Sequence, residues 1–236
     1  MKWLLGIMVI VLLSVVACGK GKTNDVPVDK TTETVSTQTD SPYVGWFKGK
    51  TEFSFKSVSV TEASLGKAKI VATVTSMTYA KNGMEAMKET TASTMGKTVL
   101  PTKTLVYITS KDANFVINPD TKKYVQEAGD MNAVMYSKVW QWTRKHSDAY
   151  DSVSGAGKKE TKTVNGVDAE CYTVQGVLFA YDADKKLLQY NADLSGTKVV
   201  INFSDYVSEN VDASIFALIE DIKKDGWTKV TSSSEL

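Results

Sequence analysis

Histidine and cysteine are scarce in this chain, which has one histidine and two cysteines among its 236 residues. Zinc sites and nucleophile–base relays need several such side chains close together, so the single His146 supplies neither. The two cysteines, Cys18 and Cys171, are too few for the disulfide framework of a small secreted domain. We therefore expect no metal and no other cofactor.

An excess of charge of one sign is also missing. Lysine and arginine together number 28, against 27 aspartates and glutamates. Proteins that bind nucleic acid neutralise phosphates with surplus basic side chains, and a balanced chain has no such surplus. We therefore expect no nucleic-acid partner.

Catalytic motifs are absent or incomplete. Upstream of the glycine-rich stretch SGAGKKET, Ser152 stands where a phosphate-binding loop needs its first glycine. Asp182 and Asp184 are followed by two lysines rather than by the glycine and glutamate of a calcium loop, which favours a hairpin turn. We therefore expect the protein not to be an enzyme.

No hydrophobic run is long enough to cross a bilayer comfortably. The longest one, from Trp3 to Ala17, has about 15 residues, whereas a spanning helix needs roughly 20. A basic Lys2, an apolar core and the small Ala17 before a cut predict a signal peptide over residues 1–17.

The residues V-V-A-C at 15–18 resemble the bacterial lipobox, in which the cysteine is acylated and becomes the first residue after cleavage. The resemblance implies a membrane anchor at Cys18 and an extracytoplasmic location at the cell membrane or the outer membrane. An ordinary cleavage site before a cysteine is the alternative. If Cys18 carries lipid, Cys171 has no partner, and its alternating surroundings predict a small buried hydrophobe rather than a reactive thiol.

Residues 18–42 are predicted to be the acylated cysteine and a disordered tether, because residues 19–42 contain no aromatic residue and are rich in threonine, serine and charge. Residues 43–236 are predicted to form one domain. Short runs rich in valine, isoleucine, threonine and aromatics predict strands, and Asn82-Gly83 and Asn165-Gly166 predict tight hairpin turns.

Two segments have helical rather than strand periodicity. The first is Asp130 to His146, and the second runs from an N-cap at Asp212 to a stop at Gly226. Strands that are apolar on both faces favour a curved sheet over one with a wet face. The expected fold is therefore α+β, a strongly curved antiparallel half-barrel meander covered by about two amphipathic helices.

Two stretches carry a family resemblance: LVYITSKDANFVINPDTKKYV at 105–125, and GVLFAYDADKKLLQYNADLSGTKVVINFSDYVSENVDASIF at 176–216. They resemble the LolA/LolB-type lipoprotein carriers and the related mycobacterial lipid-binding lipoproteins, although residues 43–60 show no sign of the N-terminal helix typical of the carriers. The resemblance implies a half-barrel closed by helices around an apolar cavity.

These observations predict a membrane-anchored envelope lipoprotein that binds a hydrophobic ligand, such as an acyl chain or a lipid, without catalysis. The alternative is a tethered interaction or structural module with a filled core, which docks another envelope protein. Plain core packing also remains open for the aromatic helix at 130–146. The candidate ligand-binding residues are Met131, Met135, Val139, Trp142, Ile215 and Leu218.

Overall fold

The computed structural model describes residues 45–128, 150, 153–155 and 157–236. These residues form thirteen strands in a single sheet. The strands are β1 Phe53–Leu65, β2 Ala68–Lys81, β3 Met84–Met95, β4 Thr98–Val99, β5 Lys103–Thr109, β6 Ala113–Asn118, β7 Lys123–Ala128, β8 Lys158–Val164, β9 Val167–Val174, β10 Val177–Tyr181, β11 Leu187–Leu194, β12 Thr197–Val207 and β13 Thr228–Lys229.

The sheet is open, and most neighbours in it are also neighbours along the chain. The spatial order is β13-β7-β6-β5-β3-β2-β1-β12-β11-β10-β9-β8, with β4 added to the end of β3. All pairs are antiparallel except β13 with β7. The long-range pairing of β1 with β12 joins the two halves of the sheet.

Tight turns make this order possible. Asn82 and Gly83 both have positive φ, as do Asn165 and Gly166, which is the backbone of the two-residue turns that match strand twist. Asparagine tolerates this conformation and glycine adopts it without strain. Both predicted hairpin turns are confirmed.

The predicted α+β fold with two covering helices is wrong, because the described chain is predominantly β. The predicted helix from Asp130 to His146 lies outside the described residues. The second predicted helix is reduced to a 3₁₀ turn at Ser214–Ala217 followed by a four-residue helix, α1, at Leu218–Asp221. Within the described ranges, no helix is long and apolar enough to cross a membrane.

Local hydrogen bonds and packing explain why the second helix is short. The Asp212 carboxylate accepts hydrogen bonds from the backbone N–H and the hydroxyl of Ser214, which fixes a turn ahead of the 3₁₀ segment. Phe216 is buried within the 3₁₀ segment, and Ile222 is buried beyond the end of α1. Contact with the sheet therefore sets this backbone, since so short a helix is not stable by itself.

The two edges of the sheet are protected in different ways. At one edge, β8 is exposed along almost its whole length and carries Lys158, Lys159, Glu160 and Lys162. Charged side chains on an edge strand oppose pairing with another chain. At the other edge, the backbone N–H groups of Thr228 and Val230 donate to carbonyls of Lys122 and Tyr124, so the C-terminal segment covers β7.

An ion-pair network joins the start of β1 to the end of β2 and to the segment after β12. Lys81 Nζ lies 2.9 Å from Glu52 Oε2 and donates to the Val211 carbonyl at 2.7 Å. The Glu52 carboxylate also accepts from the backbone N–H of Asn210 at 2.8 Å. These contacts hold the C-terminal segment against the β1–β2 hairpin.

We predict that Glu52→Gln lowers the melting temperature at neutral pH. The hydrogen bond from Lys81 holds the pKa of Glu52 below its usual 4.5, so the stabilisation is present above pH 4.5 and is lost as the pH falls through the lowered value. Thermal unfolding at stepped pH should show the wild-type and variant curves converging in acid. Glu209→Gln, which removes an exposed carboxylate at the same end of the sheet, is the matched control; an equal effect of both variants would contradict the network's role.

Candidate ligand-binding face

The register of the sheet assigns each side chain to one of two faces, because directly opposed residues of antiparallel strands point the same way. Face 1 carries Phe55, Thr78, Met87, Tyr107 and Val116, which lie opposite one another from β1 to β6. Face 2 carries Tyr79, Ala86, Ile108 and Phe115 in the adjacent row. Beyond β1, face 1 continues through Ile201, Tyr190, Phe179 and Tyr172.

Face 2 is filled by the C-terminal segment over β2 to β7. Phe216 and Ile222 are buried there against Ala86, Ile108 and Ile117. The predicted ligand-binding residues Ile215 and Leu218 are half-buried in this same cluster. The structure therefore places them in packing contact with the sheet, on the opposite face from Tyr107 and Tyr172.

The other predicted ligand-binding residues, Met131, Met135, Val139 and Trp142, lie outside the described residues, as does the lipidation site Cys18. Cys171 is described and is 2% exposed, which confirms the buried interpretation. Burial raises the pKa of its thiol, so the unreactive protonated form is favoured.

Face 1 has an aromatic cluster at the end of the sheet where the chain enters β1, here called the entry end. The cluster is made of Trp46, Phe47, Phe53, Phe55, Phe203 and Tyr206. The ring centroids of Phe47 and Phe53 are 4.7 Å apart, and those of Trp46 and Tyr206 are 5.0 Å apart. Rings at these separations fill the space between them, so this end of face 1 is a packed core.

A β-bulge places Tyr206 in that cluster. The register between β1 and β12 shifts between Ser54 and Lys56, and Asp205 has a positive φ of 56°. The extra residue allows both Phe203 and Tyr206 to point to face 1, although three positions separate them. The Tyr206 hydroxyl then donates to the Leu187 carbonyl at 2.7 Å.

A second group of aromatic residues continues the core across β9 and β10. The Tyr150 and Tyr181 rings are 5.0 Å apart, and the Tyr172 hydroxyl donates to Glu170 Oε2 at 2.8 Å. Burial raises the pKa of Tyr172 and Tyr181 well above the usual range, with smaller contributions from the neighbouring hydroxyls. These phenols therefore stay protonated and act as hydrogen-bond donors at any physiological pH.

A belt of buried hydroxyl groups crosses the middle of face 1. Its members are Ser57, Ser59, Ser76 and Thr78, and Thr78 is 1% exposed. Beside the belt, Tyr107 is hydrogen-bonded to Glu89. Burial makes the largest contribution to raising the pKa of Tyr107, and the negative charge of Glu89 adds a smaller one. Polar groups are costly to bury without partners, and this belt interrupts the apolar side chains of face 1 on β1 and β2. On β10 to β12 the apolar side chains are continuous, because Phe179, Tyr190 and Val199 pack against the aromatic core.

The second apolar region lies between the belt and the far end of the sheet, where β1 turns into β2. We call this far end the tip end and this region the apolar zone. Its side chains are apolar but only half-buried, and β11 and β12 add the buried Ala192 and Ile201 beside them. The members of the apolar zone are Ile70, Val74, Met95, Phe179, Tyr190 and Val199.

Sequence reasoning missed both the aromatic cluster and the apolar zone as parts of one face. The signal was present in β1, where Phe53, Phe55, Ser57 and Ser59 alternate with the side chains of face 2. The alternation places two phenylalanines and then two serines on face 1. Only the pairing of β1 with both β2 and β12 shows which other side chains belong beside them.

The described residues hold no group of three or more histidine, cysteine, aspartate or glutamate side chains arranged to bind a metal ion. The Asp182 side chain instead accepts hydrogen bonds from the backbone N–H groups of Asp184 and Lys186. This confirms the hairpin turn expected there. Face 1 offers apolar contact, hydrogen bonding from hydroxyl groups, and the carboxylates of Glu89 and of the buried Glu85.

No family model matches the chain, and no curated protein matches it. Three solved structures illustrate its structural likenesses. An uncharacterized conserved protein from Thermus thermophilus is 10% identical, with 76% of this chain and 90% of that chain covered and a TM-score of 0.36. A DUF1329 family protein from Desulfovibrio piger is 11% identical, with coverages of 71% and 90% and a TM-score of 0.29.

The third structure is a putative outer membrane lipoprotein-sorting protein domain from Vibrio parahaemolyticus. It is 12% identical, with 78% of this chain and 94% of that chain covered and a TM-score of 0.27. All three TM-scores lie below 0.5, so these likenesses do not establish a shared fold.

We predict that Tyr206→Phe destabilises the domain by about 1–2 kcal/mol, because the Leu187 carbonyl loses its donor in a packed environment. Urea denaturation followed by tryptophan fluorescence measures the change. Tyr124→Phe is the control, since the Tyr124 ring packs on face 2 and its hydroxyl forms no hydrogen bond within the described residues. A loss in the control as large as in Tyr206→Phe would show that the effect is not specific to this hydrogen bond.

Proposed function

We propose that the protein is a membrane-anchored lipoprotein of the cell envelope that binds a hydrophobic ligand, such as an acyl chain, on the apolar zone of face 1. The observation that carries the proposal is the half-exposed state of that zone. When one face of a sheet is in contact with water, the residues along each strand alternate, and the side chains on the wet face are polar. Here isoleucine, valine, methionine and aromatic residues occupy those positions.

The size and chemistry of the apolar zone suit an acyl chain. It extends from β3 across β2, β1 and β12 to β10, a width of about 20–25 Å at the usual strand spacing. Its apolar side chains form two groups, one on β2 and β3 and one on β10 to β12, with Ser59 and Thr61 of β1 between them. The rings of Phe179 and Tyr190 lie 5.4 Å apart in the second group. The hydroxyl belt beside the zone supplies hydrogen bonds for a polar head group.

The absence of catalysis is part of the proposal. Nucleophilic catalysis needs a nucleophile held by an oriented base. The hydroxyl belt contains serine and threonine, and Glu89 lies opposite Ser76, where it is hydrogen-bonded to Tyr107. We propose that the belt binds rather than reacts.

A second function, a tethered interaction module with a filled core, is favoured by one observation. The aromatic cluster and the face 2 core are both densely packed, with ring centroids as close as 4.7 Å. On that account the apolar zone would be a docking surface for another envelope protein. Bound lipid distinguishes the two functions.

Cys18→Ser tests the anchor. The serine has no thiol to acylate, so the variant should lack incorporated radiolabelled palmitate and should remain as unprocessed precursor. Metabolic labelling followed by immunoprecipitation measures both. Cys171→Ser is the matched control and should be labelled like the wild type, because Cys171 is buried. Label retained in Cys18→Ser would contradict the anchor.

Val74→Glu tests the ligand site. A carboxylate on the apolar zone repels an acyl chain, so we expect at least a tenfold loss of non-covalently bound lipid from the full-length protein, measured by organic extraction and mass spectrometry. Thr75→Glu is the matched control, since Thr75 is equally half-buried but points to face 2. Wild-type protein without bound lipid, or equal losses in both variants, would contradict the proposal.

A further inference from the structure

The charges of the turns differ between the two ends of the sheet. At the tip end, the turns carry Lys67, Lys97 and Lys122 against the single acidic residue Asp120. At the entry end, the charges of the turns, the segment before β1 and the segment after β12 are close to balanced. The acidic residues are Glu52, Asp112, Asp182, Asp184, Glu209 and Asp212, and the lysines are Lys48, Lys50, Lys111, Lys185 and Lys186.

Three exposed lysines lie in the tip half of the sheet, two of them in turns and the third, Lys103, opposite Thr91 of β3. Lys67 lies in the β1–β2 turn, Lys97 in the β3–β4 turn, and Lys103 at the start of β5, which pairs with β3. All three are exposed, and within the described part of the chain none of them forms an ion pair. Lys69, by contrast, is paired with Glu62 at 2.9 Å.

These lysines border the apolar zone. Met95 lies opposite Ile70. The turn that holds Lys97 directly follows Met95, and Lys67 precedes Ile70 by three residues. Apolar side chains bordered by free lysines suit a bilayer surface that contains anionic lipids, where the head groups meet the lysines.

We infer that the tip end of the sheet docks on an anionic bilayer surface, through Lys67, Lys97 and Lys103. The inference rests on the membrane anchor of the proposed function, but not on ligand binding. Each lysine near an anionic surface raises occupancy about fivefold, so three give on the order of 100-fold. The entry end, whose charges are close to balanced, then faces away from the membrane.

The covalent connection permits this orientation. The anchor at Cys18 and the first described residue, Gly45, are separated by 27 peptide units, which span up to about 90 Å when extended. The 13 residues of β1 extend about 43 Å from the entry end to the tip end. The chain is therefore long enough to reach the entry end while the tip end touches the bilayer.

The test uses the full-length acylated protein in vesicles that contain lipids with a spin-labelled head group. Thr98→Cys places an environment-sensitive fluorophore at the exposed tip, and Asp112→Cys places the same fluorophore at the entry end. Cys171 is buried and does not compete for the label. In vesicles of phosphatidylglycerol and phosphatidylcholine, we expect quenching at Thr98→Cys to exceed that at Asp112→Cys at least threefold.

The dependence on charge decides the inference. The excess quenching should disappear in pure phosphatidylcholine, in 0.5 M salt, and when Lys67, Lys97 and Lys103 are replaced by glutamine. Replacing Lys111, Lys185 and Lys186 by glutamine is the matched control and should leave it unchanged. Equal quenching at both ends, or excess quenching that survives the tip substitutions, would overturn the inference.

Three outcomes have different meanings. If the protein does not stay with the vesicles at all in high salt, the anchor of the proposed function has failed. If it stays but shows no excess quenching at the tip, the docking inference has failed. If anionic lipid causes no excess quenching, and the fluorescence of the tip label changes only after an acidic envelope protein is added, the lysines belong to a protein partner. That outcome would also overturn the docking inference.

Discussion

The strict alternation of side chains across a continuous antiparallel sheet is the constraint on which the whole structure depends. Because opposed residues share a face, the direction of one side chain in β2 determines the direction of its partners from β7 to β12. A shift of one residue in any pairing would exchange the two faces. Two register shifts interrupt the rule, at Ser54/Lys56 and at Ala180/Tyr181, and both lie at the entry end. The first brings Tyr206 into the face 1 core, and the second brings Leu187 there.

This constraint separates stability from binding. The C-terminal segment fills face 2, and aromatic rings fill the entry half of face 1, so these regions account for the packed cores. Burying one aromatic side chain contributes about 1.5–3 kcal/mol, so the aromatic cluster stabilises the pairing of β1 with β12 at the entry end. The tip half of face 1 is left with apolar side chains that remain half-exposed. A region that is apolar without being fully buried adds little to stability and is available to bind.

Local sequence signals predicted the strands and turns well and the helices poorly. Asn82-Gly83 and Asn165-Gly166 specify their turns through backbone conformation alone, so no tertiary information was needed. The segment after Asp212 has helical periodicity, but the burial of Phe216 and Ile222 on the sheet determines its actual backbone. Which strands flank β1 was not visible in the sequence, because that pairing joins residues more than 130 positions apart. The apolar zone is assembled across this junction, so its residues could not be grouped from the sequence; the assignment of Ile215 and Leu218 to a ligand site stays a prediction.

The central claim is that an acyl chain lies on face 1 and not on face 2. Methyl-resolved NMR of the protein with a spin-labelled fatty acid tests it directly, since broadening reports the distance to the label. The account predicts strong broadening of the Val74 and Val199 methyl signals, which belong to the apolar zone, and unchanged signals from Ile108 and Ile117 in the face 2 core. Equal broadening on both faces, or none at Val74 and Val199 at saturating ligand, would contradict it.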